Sequence, residues 1–176
     1  MANNVKQLSK VQRKKLQLRE EMWPSVDESL WLYKDTGGWL NIPRSFPLIC
    51  IIMDLCSKGK PISAVYTDLW CRTYNDSFVI VNKRREMALC SGFSGERAER
   101  TWLGRVEILQ KLGFIDCKPG SSGPLHYILI YNPFQVIKKL HGNKKVSDLH
   151  LNLLKEQMVD YSSDDLKYLE SDKSCS

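Results

Sequence analysis

The fold of this chain is decided by residues 86–115, which read EMALCSGFSGERAERTWLGRVEILQKLGFI. Ala88 is small at a point where one helix must approach the next closely, and Gly92 suits a turn residue with a positive φ angle. Ser94 is then predicted to cap the second helix. This order of features predicts a helix-turn-helix over residues 83–112.

The second helix of that motif, predicted over residues 95–112, has two different faces. At about 100° per residue, one arc is apolar and is expected to face the core; it comprises Ala98, Trp102, Val106, Leu109 and Leu112. The opposite side carries Arg97, Arg100, Gly104 and Lys111. An arginine there can donate two hydrogen bonds to guanine in a DNA major groove. The alternative is an ordinary solvated face, because three glutamates share it.

A β-hairpin is predicted directly after this helix, over residues 113–131. A glycine ends the helix, and strand-like runs follow at residues 114–117 and 125–131. The loop between them is rich in glycine, proline and serine, which favour turns. Its tip is expected to reach phosphates or a minor groove through Lys118, Ser121 and Ser122. Helix, glycine, strand, tight loop and returning strand form the layout of a winged helix.

The run over residues 101–115, TWLGRVxxLxxLGFI, resembles the recognition-helix-to-wing segment of bacterial winged-helix proteins. That group includes transcription regulators and plasmid replication proteins, and the resemblance extends over about 50 residues. It implies that exposed residues early in the second helix touch bases, namely Arg97, Arg100 and Thr101. The chain around residues 23–24 and 114–133 is also similar to uncharacterised proteins of Gram-negative bacteria and their plasmids, which implies no activity.

Other basic residues are assigned to the same DNA-binding surface. Arg105 matches the usual arginine late in the motif, but it lies beside the apolar arc of the helix. We therefore expect it to bind a phosphate or to form an intramolecular ion pair. Gly104 would let the helix approach DNA closely, and three bases at the start of the first helix complete the set, Lys83, Arg84 and Arg85.

The rest of the sequence predicts a mainly α fold with this one small hairpin. Residues 1–24 form a basic N-terminal arm. Residues 25–142 form the winged-helix domain, with additional helices before the motif. Residues 143–176 form a polar C-terminal tail with one possible helix, near residues 149–158.

Positive charge is concentrated in two segments of the chain. The net charge is +6, with six bases against two acids in residues 1–24 and eight against five in residues 82–118. Such a distribution suits a polyanionic partner, because neutralised phosphates release counterions. The longest apolar run, residues 46–53, is too short to cross a bilayer. The basic N-terminus lacks a secretory apolar stretch, so we expect a cytoplasmic protein without a membrane partner.

Enzymatic and metal-binding motifs are missing from the sequence. The six cysteines have no C-x-x-C spacing, and the three histidines form no ligand pattern. We expect reduced, buried thiols, and no metal, cofactor, catalytic residue or enzyme activity. Glycine-rich nucleotide-binding loops are also not found.

Two functions remain open at this point. The first is sequence-specific binding of double-stranded DNA, by a transcription regulator or a plasmid replication or partition accessory factor. The second is a winged-helix interaction subunit of a larger bacterial assembly, since a fold does not fix a function. Trp23, Trp31 and Trp39 would either pack the arm or contact a protein partner, and residues 149–158 are the candidate homodimer segment.

Overall fold

A computed structural model of the chain describes residues 10–22, 40–73, 76–121 and 123–170. The chain divides into two compact units, residues 1–39 and 40–176. In the first unit, helix α1 spans Lys10–Met22 and exposes Lys10, Arg13 and Lys14. The predicted basic arm thus contains a helix. The three N-terminal tryptophans lie outside the described residues, as do Ser122 and Cys175.

The second unit is mixed α/β, with six helices, a short 3-10 helix and three strands in its described part. In chain order these are α2 (Phe46–Cys56), α3 (Ser63–Cys71), β1 (Phe78–Ile80), α4 (Arg84–Cys90), α5 (Ala98–Leu112), β2 (Ile115–Gly120), β3 (Gly123–Ile130), α6 (Pro133–Gly142), α7 (Asp148–Asp160) and the 3-10 helix (Asp164–Tyr168). Among the described helices, none is long and apolar enough to cross a membrane.

The strands form one antiparallel sheet in the order β1-β3-β2. The short apolar run at residues 77–81 favours either a strand or an extended link, but the sequence predicts pairing only between β2 and β3. The backbone N–H of Val81 donates to the His126 carbonyl at 2.8 Å, and that of Ile130 donates to the Ser77 carbonyl at 2.8 Å. These bonds place β1 beside β3 as a third strand.

The tip of the hairpin is shorter than the sequence predicted. Residues 118–124 were expected to form a loop, but β2 continues to Gly120 and β3 begins at Gly123. The two strands approach closely here, because a Cβ atom on Gly120 would lie 2.2 Å from Cδ2 of His126. Pro119 is tolerated within β2 because an edge strand can lack a ladder hydrogen bond. Lys118 therefore lies within a strand and not at the tip.

The core forms between α5, the inner face of the sheet and the helices around them. Trp102, Val106 and Leu109 of α5 are fully buried, as predicted from the helical wheel. Phe114, directly after α5, is also fully buried, and its ring meets that of Tyr66 from α3 edge-on with centroids 5.9 Å apart. The burial of these large side chains fixes which side of α5 faces solvent.

The C-terminal segment differs from the expected polar tail. The helix predicted there is confirmed as α7, which buries Leu151, Leu154 and Met158 in the common core. Leu169, after the 3-10 helix, is buried as well. Helix α7 contacts α2 and α6, so this segment is part of the packed unit. Its amphipathic pattern was visible in the sequence, but the pattern did not reveal that its apolar side packs on the same chain.

Candidate nucleic-acid interface

The turn between α4 and α5 has the geometry that the sequence predicted. Gly92 has a φ of +84°, in the left-handed region that favours glycine. Its N–H donates to the Leu89 carbonyl, and the N–H of Phe93 donates to the Ala88 carbonyl, both at 2.9 Å. This pair of bonds is a Schellman motif, which closes the carbonyl end of α4. It directs the chain into α5 without a long loop.

Helix α5 begins later than predicted. Ser94 was expected to be its N-cap, but the helix starts at Ala98 and Arg97 occupies the N-cap position. Gly95 has a φ of +78°, which separates Ser94 from the helical backbone. Arg97 offers no side-chain cap, and its carbonyl accepts the N–H of Thr101 at 2.9 Å. The Arg97 side chain therefore extends from the end of the helix, where it is exposed.

The structure brings five predicted residues together at one open depression on the solvent side of α5. Arg97 and Arg100 are exposed, whereas the other three are half-buried. The surface at Gly104 is open, since a Cβ atom there would meet nothing within 4 Å. The depression is lined by Arg97, Arg100, Thr101, Gly104 and Arg105. Three arginines and a glycine thus line the depression, and no carboxylate of the described residues does so.

Arg105 is held in place by an aromatic ring. Its Cζ lies 5.9 Å from the centroid of the Phe93 ring, a cation–π contact. Its Nε is buried and has no hydrogen-bond partner among the described residues. The intramolecular ion pair that was one expectation for Arg105 is not formed with any described carboxylate. A buried donor without a partner is costly, and the same guanidinium group lines the depression.

The three predicted bases at the start of α4 have different surroundings. Lys83 Nζ lies 3.4 Å from a carboxylate oxygen of Glu86. Arg84 reaches the hairpin, because a Cβ atom on Gly123 would lie 3.0 Å from its Nη2. Arg85 is exposed to solvent. Lys83 and Arg85 are thus both accessible to a ligand, but Lys83 already has a carboxylate beside it.

Of the predicted wing residues, Lys118 and Ser121 are described by the structure, and neither lines the depression. Lys118 is exposed on the outer face of the sheet, with its Nζ 3.5 Å from Asp116 Oδ2. Ser121 Oγ is 3.5 Å from Nε2 of His126, a residue that is itself buried. Ser121 is therefore the one predicted wing residue that the structure describes at the hairpin tip, where it is exposed.

The cysteines were expected to be buried, and the structure corrects this for two of them. Cys71 and Cys90 are exposed, and Cys50 and Cys56 are half-buried. Burial raises the pKa of Cys117 to about 11, so its thiol is an inert core group. In the part of the chain that the structure describes, no three His, Cys, Asp or Glu side chains are grouped to hold a metal ion.

Sequence reasoning missed one surface, the outer face of the sheet. Phe78, Ile80, Tyr127 and Leu129 are all exposed there. The signal was present, because both strands are apolar at their outward as well as their inward positions, but the pairing of β1 with β3 was not predicted. Comparisons of the chain with protein-family models, with curated proteins and with solved structures found no match. The functional interpretation therefore depends on the residues of these surfaces.

Proposed function

We propose that this chain is a cytoplasmic protein that binds double-stranded DNA through α5. The observation that carries the proposal is the depression on α5, where three arginines surround Gly104 and no carboxylate is present. The opposite face of α5 is fully buried, so the helix can present only this side to a ligand. Phosphate oxygens would supply the anionic partners that the described residues do not provide there.

The arrangement of elements around α5 supports a winged helix-turn-helix. The chain runs α3, β1, α4, α5, β2 and β3, and the sheet places β1 beside β3. In this proposal α4 and α5 are the two helices of the motif, α5 enters the major groove, and the β2 and β3 hairpin is the wing. Arg84, which lies against Gly123, would then fix the wing relative to α4.

The N-terminal end of α5 would carry the contacts that read sequence. Residues near the start of a recognition helix reach base edges in helix-turn-helix proteins. Arg97 and Arg100 are exposed at this end, and Thr101 lies beside them. Arg105 is half-buried and anchored on Phe93, so we assign it to a backbone phosphate and not to a base.

A fluorescence anisotropy titration against labelled duplex fragments tests the proposal. We expect binding that weakens steeply with added salt, because each neutralised phosphate releases counterions. Even non-specific binders reach dissociation constants of roughly 10⁻⁴–10⁻⁶ M at physiological salt. Failure to bind any duplex at low salt above micromolar protein would contradict the proposal. Sequencing of the fragments retained by the protein would separate promoters from replication or partition sites.

The second candidate function is that of an interaction subunit, and the exposed apolar residues favour it. Besides the sheet, Leu149 and Leu153 of α7 are exposed, the former at 72% of its surface. Exposed apolar patches commonly mark protein contacts. Partner binding that is insensitive to salt and survives loss of Arg97 and Arg100 would support this function instead.

A further inference from the structure

The outer face of the sheet is a contiguous patch made by two rows of three side chains. Phe78 pairs with Leu129, which pairs with Asp116 on its other side; Ile80 pairs with Tyr127, which pairs with Lys118. The rings of Phe78 and Tyr127 stack diagonally, with centroids 5.9 Å apart and planes at 20°. We call these six residues the outer sheet face: Phe78, Ile80, Asp116, Lys118, Tyr127 and Leu129.

The apolar part of this face is too exposed to be explained by packing within the chain. Its four apolar side chains are between 37% and 48% exposed. The only charged groups on the face, Asp116 and Lys118, lie on one edge strand and have opposite signs. The face is therefore apolar at its centre and neutral as a whole, which does not suit a polyanion.

The two rows make the face complementary to itself. Consider a second copy related by a two-fold axis that crosses the strands at the level of Ile128, midway between the rows. The first row of one copy then lies against the second row of the other. Asp116 of each copy then faces Lys118 of the other, which gives two symmetric charge pairs. At the centre, Leu129 of each copy faces Tyr127 of the other. A two-fold axis that runs along the strands would instead place Asp116 of one copy against Phe78 of the other. That arrangement forms no charge pair.

We propose that the outer sheet face is the surface through which two copies of this chain form a symmetric dimer. The contact is isologous, as is usual for two-fold dimers. It has the form of aligned sheet packing, in which two faces interdigitate at about 10 Å separation. The inference does not rest on DNA binding, since it uses none of the residues of the α5 depression.

The size of the face indicates a weak dimer. Stable interfaces bury about 800 Å² on each partner, and six partly exposed side chains supply less. We therefore expect monomers and dimers to exchange in the micromolar concentration range. The alternative homodimer surface predicted from the sequence, on α7, has exposed leucines at Leu149 and Leu153. The charged side chains of α7 that are exposed, Asp148, Glu156 and Asp160, are all acidic, so they supply no opposite charges.

Charge reversal on the full chain tests the two-fold geometry directly. Asp116→Lys alone gives a face with two positive groups, and Lys118→Asp alone gives one with two negative groups. Each variant should stay monomeric in sedimentation at concentrations where the wild type sediments near twice 20.4 kDa. An equimolar mixture of the two should form the dimer again, because both cross-copy pairs are then opposite in sign. Circular dichroism checks that each variant is folded.

The outcomes separate the possible occupants of the face. A wild type that remains monomeric at hundreds of micromolar, or a mixture that remains monomeric when the wild type does not, overturns the proposal. A dimer that survives both reversals but is lost in Leu149→Glu/Leu153→Glu also overturns it and assigns the contact to α7.

Single-stranded oligonucleotide binding by a monomer, lost in Tyr127→Ser, would overturn the dimer proposal and assign the face to nucleobase stacking instead. Arg97→Ala/Arg100→Ala should still dimerise, so failure of DNA binding and failure of the dimer are distinguishable.

Discussion

Two clusters of basic side chains in this molecule have opposite electrostatic surroundings. Between α3 and α4, Arg72 Nε lies 2.9 Å from Asp68 Oδ2, and its Nη1 lies 3.4 Å from Glu86. Lys83 shares the same Glu86 carboxylate. On α5, Arg97 and Arg100 form no ion pair with any described residue. The positive charge is thus neutralised within the chain in the first cluster, and it remains available to a ligand in the second. We call the first cluster, formed by Asp68, Arg72, Lys83 and Glu86, the paired cluster.

The pKa directions agree with this difference. Hydrogen bonding to Asp68 raises the pKa of Arg72, and hydrogen bonds from Lys83 and then Arg72 lower the pKa of Glu86. Each partner in the paired cluster stabilises the charged form of the other. The comparison teaches that a count of bases along a sequence does not locate a polyanion site. A polyanion site is located instead by the basic side chains that have no carboxylate beside them.

The largest expected effect is on DNA affinity, for Arg97→Ala/Arg100→Ala. Loss of two arginine contacts should cost about 2 kcal/mol or more, which is about thirtyfold in the dissociation constant. Fluorescence anisotropy at fixed salt measures it. Both side chains are exposed, so the free energy of unfolding should change little.

A matched control removes the same charge from the paired cluster. Arg72→Ala/Lys83→Ala also lowers the net charge by two. The sequence assigned Lys83 to the DNA-binding surface, but in the structure both cations have carboxylate partners and neither lines the α5 depression. Its affinity should fall only by the small factor that long-range charge supplies. An equal loss in both double variants would show that net charge, and not the α5 depression, determines binding.

The second prediction concerns the shape of the depression at Gly104. Gly104→Ala should raise the free energy of unfolding by about 0.8–1 kcal/mol, because alanine is the better helix former and its Cβ meets no other atom. Gly104→Gln keeps most of that gain but fills the depression, and it should weaken duplex binding about tenfold. Urea denaturation and anisotropy measure the two quantities. If Gly104→Gln bound DNA as tightly as Gly104→Ala, the DNA would not enter the depression.

The sequence was sufficient to predict the centre of the candidate site and the face of α5 that is buried. Helical periodicity placed Trp102, Val106 and Leu109 inward, and the structure confirms this. Positive φ at Gly92 followed from the position of a glycine between two helical patterns. These features are local, so nearby residues contain the information that determines them.

The parts that sequence reasoning missed depend on contacts between distant segments. The pairing of β1 with β3 joins residues about 50 positions apart, and no local pattern selects that partner. Ser94 was a reasonable cap by residue type, but Gly95 turned the chain away from the helix. The contact of Arg105 with Phe93 depends on how the corner between two helices closes. Tertiary packing determines the strand pairing, the start of α5 and the contact of Arg105.

A third prediction tests the structural role of the paired cluster. Arg72→Ala leaves the carboxylate of Asp68, which is only 10% exposed, without its partner at 2.9 Å. An unpaired, mostly buried acceptor is costly, so the free energy of unfolding should fall by about 1–2 kcal/mol. Arg100→Ala is the matched arginine deletion on α5 and should change it by less than about 0.5 kcal/mol. Urea denaturation of both variants makes the comparison, and equal losses would remove the distinction between the clusters.

The smallest expected effect is the pH dependence that Glu86 gives to the paired cluster. Its pKa is lowered from 4.5 in the folded protein, so the unfolded chain binds the proton more readily. The stabilisation is therefore fully present above pH 4.5 and is lost as the pH falls through the folded-state pKa. Glu86→Gln lacks this component, and the difference in urea midpoint from the wild type should shrink on acidification. In the Arg72→Ala/Lys83→Ala background the same substitution should show no such trend, because the cations that lower the Glu86 pKa are gone. A trend that persists there would mean that another cation lowers the Glu86 pKa.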